Sequence, residues 1–527
     1  MRFDRKILSL ILLVAALTYT LWFVFAGFGN HQDPLYWLYK YEHLEGGWMA
    51  MGTLLTGGAV VHLFGAQLLP LRLFGWFCTV VAIALPYVCL LTKEQRQGNL
   101  HWLALTFVLM GYGAFQEFSP GTLSVLLLSA LWVTAAHSTM HPSSHSSFVS
   151  AVLLGLAITA RFPNILALLV LIPVWKKKCL WNIPVAAVVA GIVYLLGYWL
   201  VTPAVTDATM RAAHELTHMM SKLWEHGGLL VGYMLLALGM ITIGNYKWEN
   251  LTPKLAILNH KLAFPLGLFI GLALIYFLTF TTKPAQWYNI DLTYMISALC
   301  LVIALNHRIF VPSIGAAILI IATFGTDTAW LKLFPAVLCL LPIAAVHYSR
   351  ESRQYLYAAL GVLAIFVATR MTTNSVGQSD LTKATTFASV SPYKGIAIRV
   401  EEEQKLLQYK ADCDSITRST LMDHPSTILA LGQESHLMRA VTGCEAAKYN
   451  EFWSNIFDSV YTAKYQELIQ AEHPIVFCSF TPQFKTKKTY TDGASAMEEM
   501  LRREGYTPLD RSKHKYMIYL PQQNTEN

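Results

Sequence analysis

The chain has 527 residues, 54% hydrophobic and only 13% charged, with a mean hydropathy of +0.43. Soluble globular chains carry roughly 25% charged residues, so a polytopic membrane protein is expected and an ordinary soluble enzyme is excluded. The net charge of +7 divides into +9 over residues 1–370 and −2 over 371–527, so the basic surplus is an orientation signal rather than a nucleic-acid footprint.

Apolar runs long enough to approach a membrane crossing are predicted near 7–28, 71–92, 101–116, 120–137, 147–160, 164–175, 181–201, 228–246, 262–281, 290–306, 309–325, 330–347 and 354–370. The first reads as an uncleaved span, because its apolar run exceeds 20 residues and no good cleavage site follows. Between the fifth and sixth runs, Arg161-Phe162-Pro163-Asn164 breaks the chain. An arginine is costly at mid-bilayer, and a proline disfavours helix at the residue before it.

Segment 47–69 decides the topology. It is apolar but contains Gly57-Gly58, His62 and Gln67. With this segment lying at the surface or re-entering, 14 Lys/Arg fall in cytoplasmic segments and 6 in outer loops. The expected architecture is a polytopic α-helical membrane protein of about thirteen spans, with residues 1–370 as the transmembrane domain and the N-terminus inside. Residues 371–527 form a small soluble α/β domain outside, in the periplasm. Its strands are predicted at 426–431, 474–479 and 515–520 and its helices at 463–470 and 494–504. No glycine-rich phosphate loop follows any of these strands. The domain carries Cys413, Cys444 and Cys478, which allow at most one disulfide.

Chemistry-bearing residues gather in outer loops. The first holds His31, Asp33, Lys40, Glu42, His43 and Glu45; the loop after the third span holds Glu117; the fifth/sixth junction holds Arg161; loop 282–291 holds Lys283, Trp287, Tyr288 and Asp291. One carboxylate can act as general base on an acceptor hydroxyl, and a second can orient the acceptor or hold a divalent metal. Arginine and lysine can neutralise a phosphate leaving group. For most of these residues ordinary surface polarity competes evenly with a functional role; Glu117, the only charge in a very short loop, and Arg161, a lone arginine between two half-length apolar runs, favour function.

His214-Glu215-Leu216-Thr217-His218 forms a formal HExxH. On a helix its histidines share a face, as a zinc site requires, with Glu215 as base. The following residues lack the glycine and third-histidine spacing of one zinc-protease class. The segment also reads as an amphipathic surface helix with Met210, Leu216, Met219, Met220 and Leu223 as its apolar members. A membrane zinc protease is thus the first alternative. A transporter or flippase of lipid-linked glycans is the second, but it calls for charges within spans, and few are present. His137, His141 and His145 read as part of a cytoplasmic connector.

The layout resembles the GT-C glycosyltransferases, in particular the protein O-mannosyltransferase and lipid A aminoarabinose transferase branch. The resemblance rests on an early outer-loop Asp33, on Glu117 after the third span, on the segment Gly155-Leu-Ala-Ile-Thr-Ala-Arg161-Phe-Pro-Asn164, and on the outer α/β tail. It implies an integral enzyme of a bacterial inner membrane that uses a polyprenyl-phosphate sugar donor and a periplasmic glycan, lipid or protein acceptor. It matches Asp33 and Glu117 to the family's catalytic acids and Arg161 to its basic residue, with Lys283 and Tyr288 as weaker matches; Glu42 and His43 of the first loop are further substrate-binding candidates. It names no certain cofactor, and a divalent metal with Asp33 and Glu117 as its ligands is compatible. The sequence departs from that branch where Glu45-Gly-Gly-Trp48 replaces a His-Pro-Pro element, and where Trp287-Tyr288 replaces an Arg-Tyr pair.

Overall fold

The computed structural model describes residues 5–27, 32–110, 118–140, 144–203, 227–238, 310–323, 329–346, 381–420, 427–432, 459–479, 498–509 and 517–521, with short pieces at 297–302, 357–364 and 437–441. Helix α1 (Arg5–Phe25) leads into a short α2 (Gln32–His43), strand β1 (Glu45–Gly46), a 3-10 turn (Trp48–Ala50) and α3 (Met51–Phe64). Four helices follow: α4 (Leu68–Leu90), α5 (Lys93–Met110), α6 (Pro120–Met140) and α7 (Ser144–Ala160). A 3-10 stretch (Phe162–Ala167), α8 (Leu168–Trp175), α9 (Cys179–Leu200) and β2 (Thr202–Pro203) complete the first half.

Among the described residues, Lys6–Phe25, Leu68–Leu90, Pro120–Met140 and Phe162–Leu200 are long and apolar enough to cross a membrane. A helix of about 20 residues rises about 30 Å, the thickness of the hydrocarbon core. The last stretch is broken at Lys176, whose φ is +53°. Apolar side chains on α9 are bare, with Trp181 78% and Trp199 76% exposed. Surface of this kind is stable against lipid and not against water. Predicted span 262–281 lies outside the described residues, and 290–306 and 354–370 are described only in fragments. The helices that are described interlock through buried tryptophans: Trp132 donates to the Val311 carbonyl at 2.9 Å and Trp175 to Ser150 Oγ at 2.7 Å.

The predicted break between the fifth and sixth runs is present: α7 stops at Ala160 and Arg161 is extended. The first outer loop is largely helix α2, and segment 47–69 forms α3, which packs against α2 and α7. Seven of its residues, including Gly57 and Gly58, are buried. At 14 residues it rises only about 21 Å, too short to cross. Its first turn is tied to α7 by Thr53 Oγ1 donating to the Ala160 carbonyl at 2.8 Å. At its other end Gly65, at φ +84°, turns the chain so that Leu68 N–H reaches the Pro392 carbonyl at 3.0 Å.

These ties collect several chain-distant junctions at one end of the bundle. Gly27 N–H donates to the Ala397 carbonyl at 2.7 Å, Phe118 N–H to Leu71 at 3.0 Å, and Thr202 N–H to Leu44 at 2.8 Å. Strand β1 pairs with β2 in parallel, Glu45 opposite Thr202. At the far ends of α4 and α8 stand Lys93, Arg96 and Lys176–Lys178.

Beyond residue 380, β3 (Thr386–Phe387) and β4 (Ala397–Ile398) form a hairpin, and a helix runs from Val400 to Thr420. A sheet of order β5-β6-β8-β7 follows. In it β5 (Ile428–Gly432) is parallel to β6 (Ile475–Ser479), across the helix Ser459–Glu472. Strand β8 (Met517–Pro521) is antiparallel to both β6 and β7 (Tyr506–Leu509). Strands β5, β6 and β8 match the sequence prediction. Strand β7 and the Val400–Thr420 helix were missed. Pro508 demotes β7 as a strand by sequence, but the strand lies at the sheet edge, where a missing N–H is tolerated. The missed helix has little apolar periodicity and is favoured by Glu401, Glu402 and Glu403 at its positive N-terminus. One apolar cluster joins this part to the bundle, running from Leu35 and Tyr41 through Phe118 and Tyr393 to Ile428 and Ile475. Cys478 is a free buried thiol that burial pushes upward in pKa; Cys413 has only its backbone described, and Cys444 lies outside the described residues.

Candidate functional site

The candidate residues stand on α2 and at the end of α7, two elements that each pack against α3. Asp33 occupies the first turn of α2, and its side chain lies outside the described residues. Glu117, Lys283, Tyr288, His214, Glu215 and His218 also lie outside them. Glu42 and His43 are exposed in the last turn of α2. His43 Nδ1 is 3.1 Å from the Tyr39 carbonyl, and its ring lies 4.2 Å from that of Tyr39. Ten residues of helix separate Asp33 from His43, a rise of about 15 Å, so the two ends of α2 cannot touch the same small group.

Tyr41 connects α2 to the chain beside Glu117. It is 1% exposed, and its hydroxyl donates to the Phe118 carbonyl at 3.1 Å. Burial holds the phenol well above its ordinary pKa, so it stays a protonated donor. Phe118 is itself fully buried, 4.7 Å from Phe74 by ring centroids. The backbone after Glu117 is therefore clamped between α2 and α4. Tyr41→Phe should lower stability by about 1 kcal/mol through the carbonyl left unpaired. The unfolding midpoint in detergent reads this directly, and an unchanged midpoint would mean that the bond contributes nothing.

Three cations are buried in this region or beside it: Lys40, Arg72 and Arg161. No carboxylate is among the buried residues described. Lys40 Nζ stands 4.4 Å over the Tyr36 ring, a cation–π arrangement. Arg72 Nη1 donates to the Gly27 carbonyl at 2.9 Å. Sequence reasoning placed Lys40 in a solvated loop and Arg72 at a span end. The available signal was the aromatic neighbourhood Tyr36-Trp37-Leu38-Tyr39-Lys40-Tyr41, in which a lysine at helical spacing falls over a ring.

Arg161 is 6% exposed. Its Nη1 donates to the Ala322 carbonyl at 2.7 Å, while its buried Nη2 has no hydrogen-bond partner among the described residues. Burial lowers its pKa to about 10, which leaves it charged at neutral pH. A buried charged group with an open N–H is costly unless something negative completes it. Around it, Asn164 Nδ2 donates to Ser124 Oγ at 2.9 Å and to the Ala157 carbonyl at 2.8 Å. Trp48, half exposed, meets the Phe162 ring edge-on at 4.8 Å. Among the described residues, no group of three His, Cys, Asp or Glu is placed to hold a metal.

No family model matches this chain, and no curated protein sequence matches it. Among solved structures, the Archaeoglobus fulgidus oligosaccharyltransferase has a similar outline. That likeness has a TM-score of 0.45 and 11% identity, and it covers 97% of this chain and 73% of that one. ArnT from Cupriavidus metallidurans gives a TM-score of 0.41 in its apo state, at 12% identity over 97% of both chains. Bound to undecaprenyl phosphate, it gives 0.38 at 10% identity over 99% of both. Scores below 0.5 reach no further than general outline.

Proposed function

We propose that this protein is an integral membrane glycosyltransferase that moves a sugar from a polyprenyl-phosphate donor, undecaprenyl phosphate in a bacterium, to a periplasmic glycan, lipid or protein acceptor. The observation that carries the reading is Arg161: a buried guanidinium at a helix break whose Nη2 has no hydrogen-bond partner among the described residues. A phosphate monoester at the membrane surface has the charge and oxygens to complete that arginine. Lys283 is proposed as the second cation on the departing phosphate, with Tyr288 beside it.

In this reading Asp33 takes the proton of the acceptor hydroxyl. The acceptor oxygen attacks the anomeric carbon from the face opposite the phosphate, the bond from that carbon to the phosphate oxygen breaks, and the configuration inverts. Glu117 orients the acceptor or a divalent metal, and Glu42 and His43 contact the acceptor farther along α2. The basic end with Lys93, Arg96 and Lys176–Lys178 faces the cytoplasm, by the preference of Lys and Arg for that side. Residues 371–527 then stand in the periplasm as a domain that presents the acceptor.

Arg161→Gln should weaken undecaprenyl phosphate binding by about 10- to 100-fold, the worth of one charge-assisted contact. Equilibrium binding to the detergent-solubilised chain tests it, and wild-type affinity would remove Arg161 from the site.

A further inference from the structure

We infer that Asn164 is a positioning residue for Arg161: it sets the backbone turn that leaves Nη2 of the guanidinium open for the donor phosphate. The inference rests on the phosphate-binding reading of Arg161 given above.

The end of α7 has carbonyls that no helix continues to satisfy. Three carbonyls at the break, those of Ala157, Ala160 and Arg161, have specific partners. Ala157 receives the Arg161 N–H at 3.1 Å and Asn164 Nδ2 at 2.8 Å. Ala160 receives Thr53 Oγ1 at 2.8 Å, and Arg161 receives the Asn164 N–H at 3.0 Å. Pro163 has no N–H to offer, so beyond Phe162 the next backbone donor is that of Asn164. Asn164 therefore holds the turn twice, once through its backbone and once through its amide. The same amide reaches across to Ser124 Oγ at 2.9 Å, which fastens the turn to α6.

Both Asn164 and Ser124 are fully buried. A rotation of the turn would carry Arg161 away from the Ala322 carbonyl, which is 161 residues distant in sequence. With the backbone fixed from α6 and Nη1 fixed by Ala322, the direction of Nη2 is determined. A simple helix stop would not need this; proline and the extended Arg161 already end the helix. The linkage to α6 adds orientation, which is what a group that must meet an anion requires. Asn164 Oδ1 is likewise buried with no partner among the described residues, so the amide is held by its two donors alone.

The test uses the full chain in detergent and two probes, undecaprenyl phosphate and undecaprenol, which differ only in the phosphate. The readout is the ratio of their affinities, alongside the unfolding midpoint. Asn164→Ala should cut the preference for the phosphate by about tenfold, and Ser124→Ala by about twofold to threefold, since it removes one of two acceptors. A residue that merely supports the fold would lower the midpoint and weaken both probes equally. If the ratio stays at the wild-type value in Asn164→Ala while Arg161→Gln destroys it, the positioning role is wrong and the phosphate reading stands. If Arg161→Gln also keeps the ratio, the phosphate reading itself fails and takes the inference with it. Should Asn164→Ala not fold, Ser124→Ala decides alone, and an unchanged ratio there overturns the proposal.

Discussion

Asp33→Asn should lower transfer from a polyprenyl-phosphate sugar by about 10²- to 10⁴-fold, the usual contribution of a positioned general base. The substitution keeps the size and shape of the side chain and removes only its basicity. Asp33 stands in the first turn of α2, where free backbone N–H groups and the helix dipole favour the ionised carboxylate that a base needs. Binding of undecaprenyl phosphate should change little, because the proton being moved belongs to the acceptor. The loss should fall on turnover with donor KM nearly constant, the pattern of an interaction made only in the transition state. Radiolabelled transfer with a purified donor measures it. Near wild-type turnover would take the base role from Asp33 and leave Glu117 as the remaining carboxylate of the proposed pair.

Gly57→Val should be strongly destabilising although it changes no charge. A Cβ at Gly57 collides with the Tyr41 ring, and one at Gly58 collides with the Leu44 side chain. Tyr41 cannot yield easily. It is 1% exposed, its ring lies 5.7 Å from that of Trp37, and its hydroxyl is engaged by Phe118. Overpacking of this kind costs about 1–3 kcal/mol, and a branched side chain in so close a crossing belongs at the upper end. The unfolding midpoint should fall, and undecaprenyl phosphate binding should fall with it, because α3 also carries Thr53, whose hydroxyl holds the end of α7. Gly98→Ala is the control: nothing lies within 4 Å of its Cβ position, so the midpoint should hold or rise slightly. Equal effects at the two glycines would show that α3 is not tightly seated against α2.

Why α3 needs its glycines was hidden in the sequence. Gly57-Gly58 within an apolar run reads as a weak helix or a re-entrant turn. The actual reason is the ring of Tyr41, sixteen residues upstream, which approaches the helix backbone. The break at Arg161 was legible because arginine, proline and helix end are local facts. The consequence of that break was not, since the Ala322 carbonyl and Ser124 hydroxyl that frame it come from other helices. In the tail, β5, β6 and β8 were legible as short apolar runs ending in turn residues. Strand β7 was not, because its Pro508 is acceptable only at an edge, and edges are defined by the finished sheet.

By itself, the sequence determined that this is a chain of apolar helices followed by a more polar α/β segment, with acids and cations confined to a few junctions. Hydropathy and charge act on each segment separately, so they survive being read in one dimension. Tertiary structure decided which charges are withdrawn from water, that the region between α1 and α4 folds into two short helices at one end of the bundle, and that Arg161 has Nη1 engaged and Nη2 without a partner among the described residues. The cost of a buried charge depends on the oxygens that reach it, and for Arg161 that oxygen comes from a carbonyl far along the chain.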